Sequence, residues 1–332
     1  MLFYNKYTAG GNPRQGAPKK RSGKIAMGFS FFAAACIIGL PGRAASALPG
    51  RGFFGKEEKM KADLHMHSTA SDGTMTPSQM AEECQKAGLC YAALTDHDCV
   101  AGVEEFMARA EQLGIRAVSG VEFSVQYEGE LHILGYGVDL GHSRFARECR
   151  VLAQRRETRV QEMAEKLCQA GYRISLERIR AHAGGDLIGR PHIAAALVEA
   201  GYARDIPDAF QRFLNRGGAG FVERYRLSEE NAISLIHEAG GKAVWAHPKL
   251  ALAQDFPAML DRLVAEGLDG IEAFYPMHSD EECAYYMQQG RQRGLFISQG
   301  SDAHGTFRPS TFVGKEQRGD GELSDCLQIL FK

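Results

Sequence analysis

His65 and His67 stand two residues apart in Asp63-Leu64-His65-Met66-His67-Ser68. On a strand, positions i and i+2 face the same side, so two imidazoles there can grip one ion. Asp72 follows in Ser71-Asp72-Gly73, and Asp96-His97-Asp98 closes an apolar run. Glu122 comes after Gly120-Val121, His132 sits in Leu131-His132-Ile133-Leu134, and His247 in Ala246-His247-Pro248. Asp302 and His304 complete the set in Gly300-Ser301-Asp302-Ala303-His304-Gly305. Each has a plain reading when taken alone: an ordinary histidine pair, a turn aspartate at 72, a hydrogen-bonded core histidine at 132. Together, six of the eleven histidines stand with Asp72, Glu122 and Asp302 at or near strand ends, which packing does not require. His, Asp and Glu without Cys suit Zn, Mn or Fe in a hydrolytic site, and their number exceeds what one ion takes. A cluster of two or three ions is expected. Such clusters lower the pKa of a bound water and clamp both oxygens of a phosphoryl displacement.

These residues need strands to carry them. Ala62–His67, Tyr91–Thr95, Arg116–Gly120, Leu131–Gly137, Ala243–Ala246, Gly270–Phe274 and Leu295–Ser298 read as strands, with a turn at Glu128-Gly129. Thr76–Ala87 reads as a helix with Thr76 at its N-cap, Pro77 at the first position and Gly88 past its end. Val103–Leu113, closed by Gly114, is the next. Strand–helix alternation predicts a parallel sheet. Reactive side chains at the C-terminal ends of successive strands meet only if the strands surround one point, which selects a barrel. Residues 143–235 break the rhythm. Arg147, Arg150, Arg155, Arg156 and Arg159 lie on helical stretches there, followed by Glu177–Ala183, Pro191–Ala200 and Asp208–Leu214. This segment reads as a helical insertion, placed as a lid. The chain divides into 1–59, non-globular; 60–142, first part of the barrel; 143–235, the insertion; and 236–332, the second part.

At 332 residues with 44% hydrophobic and 24% charged residues, the chain is an ordinary globular one. Its net charge of -2 is uneven: residues 1–59 carry ten Lys/Arg against two Glu, leaving the rest at -10. Such a body is a poor general nucleic-acid binder, and no duplex-DNA partner is expected. Eight cysteines without a C-x-x-C pair read as reduced, mostly buried thiols in a reducing compartment. The N-terminus has two readings. Lys19–Lys24, the apolar run Ile25–Leu40 and Ala44-Ala45-Ser46-Ala47 have the order of a signal peptide, the run being short for a membrane span. Alternatively, translation starts at Met60, directly before the first chemistry-bearing strand, and the protein is cytoplasmic; we favour this reading.

The motifs Asp-Leu-His-Met-His-Ser, Ser-Asp-Gly, Thr-Asp-His-Asp, Gly-Val-Glu, His132, Ala-His-Pro and Gly-Ser-Asp-Ala-His-Gly resemble the PHP (polymerase and histidinol phosphatase) superfamily across residues 61–310. Ile188-Gly189-Arg190-Pro191-His192 resembles a branch with nucleoside 3′,5′-bisphosphate phosphatases, some also 5′→3′ exoribonucleases on short RNA. The resemblance implies a distorted (β/α)7 TIM-like barrel. It also implies one metal on His65, His67, Glu122 and Asp302, a second sharing Glu122 with His132 and His247, and a third on Asp72, His97 and His304. Mn is the first choice, with Zn or Fe as alternatives, and Glu122, Asp302 and His304 carry the catalysis. Arg190 and His192 are candidate phosphate readers, Arg being suited to bidentate binding; the plain alternative is that Arg190-Pro191 starts a helix. Lys249 and Arg308, next to metal motifs, are further candidates. His142, His182, His237 and His278 have no partner pattern and are expected to face solvent. The implied activity is metal-dependent removal of the 3′-phosphate from a nucleoside 3′,5′-bisphosphate, or of terminal nucleotides from short RNA. The alternatives are a histidinol-phosphate phosphatase, a cyclic phosphodiesterase, or a non-catalytic PHP module.

Overall fold

The computed structural model describes residues 61–332 except 128, 184–187 and 320. The readings on residues 1–59 and on Glu128 lie outside the described residues. Seven strands form one sheet in chain order: β1 Ala62–Asp63, β2 Tyr91–Leu94, β3 Arg116–Ser124, β4 His132–Tyr136, β5 Lys242–Ala246, β6 Gly270–Phe274 and β7 Phe296–Gln299. The last strand returns to the first. Leu64 N–H donates to Gln299 O at 3.2 Å, Asp302 N–H to His65 O at 2.8 Å, and Met66 bridges Ala303 in parallel. The result is a nearly closed, distorted barrel.

The helices follow as α1 Pro77–Lys86, α2 Val103–Gln112, α3 Ser143–Gln169, α4 Leu176–Ala181, α5 Arg190–Glu199, α6 Ile206–Ala209, α7 Glu229–Glu238, α8 Phe256–Ala265, α9 Asp280–Gln292 and α10 Ser324–Leu330. At α1, Thr76 and Gln79 exchange side-chain and backbone hydrogen bonds as a capping box, and Pro77 occupies a first-turn position whose N–H needs no helical partner. Alternation along the strands sorts the core. Val121, Phe123, Ile133, Trp245, Ile271 and Ala273 face outward onto Ile233, Ile236, Leu260, Leu263 and Cys283 of α7–α9. Leu134, Tyr136, Val244 and Ala246 face inward, where Leu323, Cys326 and Leu327 at α10 join them. Glu122 and Glu272 therefore belong to the inner face, between outward neighbours.

The expected all-parallel order is corrected at one strand. β4 runs antiparallel to both β3 and β5. Only seven residues separate β3 from β4, too few for the crossover that a parallel pair needs. His132 consequently begins β4 instead of ending it, and Glu122 lies inside β3, which continues to Ser124. The reversal brings His132 to the same rim as the C-terminal ends of the parallel strands.

Between β4 and β5 run α3 to α7, with a π-helical turn at Phe210–Leu214. The 27 residues of α3 span about 40 Å. Phe145, Cys149 and Leu152 of α3 pack into the barrel's outer core. Val160, Met163 and Leu167 join a separate cluster with Ile193, Leu197, Phe213 and Leu214. Cys84, Cys99, Cys149, Cys283 and Cys326 are buried free thiols, while Cys90 and Cys168 are exposed. Among the described residues no helix is long and apolar enough to cross a membrane.

Candidate metal centre and arginine cleft

The nine candidate ligands, carried by loops and strand ends around the rim, converge inside the barrel. Glu122 lies at their middle. Its Oε1 is 2.8 Å from His132 Nδ1, 3.0 Å from His247 Nε2 and 3.4 Å from His65 Nε2. Its Oε2 is 2.8 Å from His97 Nδ1 and 3.3 Å from His67 Nε2. Asp302 Oδ1 approaches His67 Nε2 at 3.2 Å and His65 Nε2 at 3.7 Å. On the other side of His67, Asp72 meets His304 at 3.5 Å and His97 at 4.0 Å. Ligand atoms at about 2.1 Å from a shared cation would be separated by about 3–3.5 Å, which these spacings approach.

The electrostatics suit a cation. Burial favours neutral carboxyl groups, yet His97, His132 and His65 hold Glu122 well below the usual carboxylate range. Asp72 is likewise buried, and His97 and His304 keep its pKa low; Arg308 and His304 do so for Asp302. His67, buried with His304 and His97 beside it, is pushed well below its ordinary value and is a neutral imidazole. His65 Nε2, both nitrogens of His67, His97 Nδ1 and Glu122 Oε2 are buried without a hydrogen bond. Ionised carboxylates, the neutral His67 imidazole and buried polar atoms without hydrogen bonds, gathered around one point, fit divalent ions.

Local backbone supports the arrangement. Asp98, His247 and Asp302 have φ of 54°, 28° and 52°, conformations that side-chain-bearing residues adopt at a cost. A Cβ on Gly300 would lie 2.2 Å from His65 Cβ, so the loop before Asp302 can pass His65 only as glycine. Asp96 is a brace rather than a ligand: it accepts from Ser68 N–H at 2.7 Å, Ser68 Oγ at 2.6 Å and Ser71 Oγ at 2.5 Å, tying the loop after His67.

Above the centre opens a cleft of about 440 Å³, bordered by Asp72, His97, His132 and His304. Six arginines line it: Arg156, Arg159, Arg190, Arg224, Arg226 and Arg308. Arg308 Nη1 lies 2.5 Å from Asp302 Oδ2, joining cleft to centre. Arg190 reaches the cleft from the start of α5, its guanidinium over the Phe210 ring at 5.3 Å. His192 does not line the cleft; it is buried, and its Nδ1 accepts the Gly189 N–H at 2.9 Å, capping α5. Lys249 does not line it either, its ammonium being held by Glu282 at 2.7 Å and Met277 O at 3.0 Å. His278, expected at the surface, is buried, and its Nδ1–H donates to Ala273 O at 2.9 Å, a backbone partner that no sequence pattern announces. His142 caps α3, while His182 and His237 pair with Glu199 and Asp269.

The PHP domain matches residues 63–212. The 5′-3′ exoribonuclease Rnm of Escherichia coli is 37% identical over 254 residues, covering 73% of this chain and 84% of that protein. The chain belongs to the PHP family. A 3′,5′-nucleoside bisphosphate phosphatase of Chromobacterium violaceum is 33% identical over 259 residues, covering 76% of this chain and 90% of that protein. Among solved structures, a candidate metal-dependent phosphoesterase of Bifidobacterium adolescentis superposes with a TM-score of 0.73 at 28% identity, covering 80% of this chain and 95% of that one.

This PHP chain also uses residues that motif reading missed. Glu272 is fully buried; its Oε1 lies 3.0 Å from His65 Nδ1, and its Oε2 accepts the His247 N–H at 2.7 Å. Burial disfavours charge on His65, but Glu272 and then Glu122 hold its pKa well above the ordinary value. A carboxylate behind an imidazole fixes its tautomer and aims the other nitrogen at the ion. The signal was a lone Glu inside the apolar Gly270–Phe274 run. Glu272→Gln should weaken metal affinity about 10- to 100-fold, the usual cost of losing such a partner. Metal titration of the chelated protein checks this; unchanged affinity would leave Glu272 a packing residue only.

Proposed function

We propose that this PHP chain is a metal-dependent phosphoesterase that removes the 3′-phosphate of nucleoside 3′,5′-bisphosphates and the terminal nucleotide of 5′-phosphorylated short RNA. The observation carrying this reading is the junction of a His/Asp/Glu centre with an arginine-lined cleft, so that one pocket offers both a hydrolytic site and a place for further phosphate. The names of the Escherichia coli and Chromobacterium violaceum relatives support the two substrate classes.

In this reading His65, His67, Glu122 and Asp302 would hold one ion, Glu122, His132 and His247 a second, and Asp72, His97 and His304 a third, with Mn first among the metals. When bound, such ions activate water and neutralise charge on the phosphoryl oxygens. Water adds to phosphorus, the P–O3′ bond breaks, and the ribose oxygen leaves with a proton. Glu122, Asp302 and His304 would serve the reaction by holding those ions. Arg308, bound to Asp302, is positioned to donate to the phosphoryl group, and Arg190 reads the second phosphate. The 143–235 segment, which supplies five of the six cleft arginines, serves as the lid, and the enzyme works in the cytoplasm.

A phosphate-release assay with Mn²⁺ tests the reading. Adenosine 3′,5′-bisphosphate should be turned over with the highest kcat/KM, 5′-phosphorylated dinucleotide RNA should release its terminal mononucleotide, and histidinol phosphate and cyclic nucleotides should be poor. Preference for either of the last two would replace the proposal with that activity.

A further inference from the structure

Arg224 lies in the stretch that leads to α7, three residues before Leu227, which bridges Val125 in parallel. It lines the cleft, yet both of its terminal nitrogens are engaged by the barrel. Nη2 pairs with Asp98 Oδ2, and Nη1 donates to Ser124 Oγ at 2.8 Å. Both partners are buried, and both belong to segments that carry candidate ligands. Asp98 directly follows His97; its backbone N–H donates to Glu122 O at 2.9 Å, and its Oδ1 accepts the Ser124 N–H at 3.3 Å. Ser124 ends β3 two residues after Glu122 and stands opposite His132 across the antiparallel pair. The Ser124 oxygen is 3.0 Å from His132 Nε2, while the other ring nitrogen, Nδ1, is 2.8 Å from Glu122 Oε1.

Charge alone gives no reason for Arg224 at this place. A guanidinium keeps its proton near neutral pH, and beside a cluster suited to divalent cations it weakens their binding by repulsion. What it offers is geometry. An imidazole that ligates through Nδ1 carries its proton on Nε2, and a partner at that N–H fixes the ring. A hydroxyl oxygen has two lone pairs. Ser124 can therefore accept from His132 and from Arg224 together, and the planar fork of Arg224 is itself held by Asp98.

We propose that Arg224 is a positioning residue through which the 143–235 segment completes the metal centre: by way of Ser124 it holds His132 with Nδ1 toward Glu122. This role rests on His132 being a metal ligand, as proposed above, and not on which phosphoester is cleaved. It makes Arg224 a brace of the centre, reaching it from the insertion through one hydroxyl group.

Calorimetric titration of the full, chelated chain with Mn²⁺ tests this without turnover, and the sign of the change decides. Removing a positive charge would by itself raise the Mn²⁺ affinity of Arg224→Met; the positioning role requires a fall, of about 10-fold or more. Ser124→Ala, which leaves the Arg224–Asp98 pair in place, should fall by a similar factor. Ser124→Thr, which keeps the hydroxyl, should stay near wild type. Combining Arg224→Met with Ser124→Ala should cost little beyond either change alone, because both act on one ring. Arg224→Lys keeps the charge and the contact with Asp98 but not the fork; it should bind Mn²⁺ several-fold more weakly, and it decides the question if Arg224→Met does not fold. Unchanged or higher affinity in the Arg224 variants, an unaffected Ser124→Ala, or losses that multiply in the double variant overturn the role. A wild type that binds no Mn²⁺ removes the metal-dependent function and this role with it, whereas a wild type and variants that bind equally well remove the role alone.

Discussion

Glu122→Gln should lose at least one metal ion and about 10³-fold or more in rate. The substitution preserves size but removes the charge, and the charge is what holds the centre together. Five imidazoles, those of His65, His67, His97, His132 and His247, approach its two oxygens at 3.4 Å or less. Both oxygens accept; the amide of glutamine would turn one of them into an N–H₂ donor facing imidazoles and cations. No other carboxylate can take over, because Asp302 faces His65 and His67, and Asp72 faces His97 and His304. Elemental analysis of the purified variant, with turnover measured on the same sample, checks both parts. Near-normal turnover with a full complement of metal would remove Glu122 from the bridging position.

The cluster was legible in the sequence because its candidate ligands stand in or beside apolar strands, where their types are chemically unusual. His65-x-His67 and Asp302-x-His304 stand out against apolar neighbours, and the topology brings them within one rim. Their support was harder to see. Glu272 is one carboxylate in an otherwise apolar strand, and its partners, His65 and the His247 backbone, are 207 and 25 residues away. The direction of β4 was misread because an apolar run of five residues looks the same in a hairpin as in a βαβ unit. The few residues between Ser124 and His132 carried the deciding information. The arginine cleft was legible only at Arg190 and Arg308. Arg156, Arg159, Arg224 and Arg226 come from α3 and from the stretch before α7, with no motif to separate them from solvated charges. Net charge misled in the same way: an acidic body can still gather six guanidinium groups around one cleft.

That gathering sets the expected result for Arg190. The hydrolytic centre engages only the phosphoryl group being cleaved, so it cannot tell a bisphosphate from a monophosphate; residues outside it must do so. Arg190 is held for that task. Gly189 and Pro191 set the start of α5, and the Phe210 face fixes the plane of the guanidinium at 5.3 Å. Burial, then Arg224, push its pKa down to about 10, so it remains charged near neutral pH, and the repulsion from its neighbours is relieved when a phosphate arrives. Arg190→Met keeps the apolar stem on Phe210 and removes the fork. We expect kcat/KM for a 3′,5′-bisphosphate to fall about 10²-fold, equivalent to roughly 2.7 kcal/mol, a magnitude typical of charge-assisted hydrogen bonds lost from a partly buried site. An aryl phosphate, which has no second phosphate to be read, should lose far less, and metal content should hold. The comparison is decisive because the two substrates share the centre and differ only in the cleft. Should both fall together, Arg190 acts on the reacting group or on the fold, and the second phosphate must be read by the α3 arginines alone.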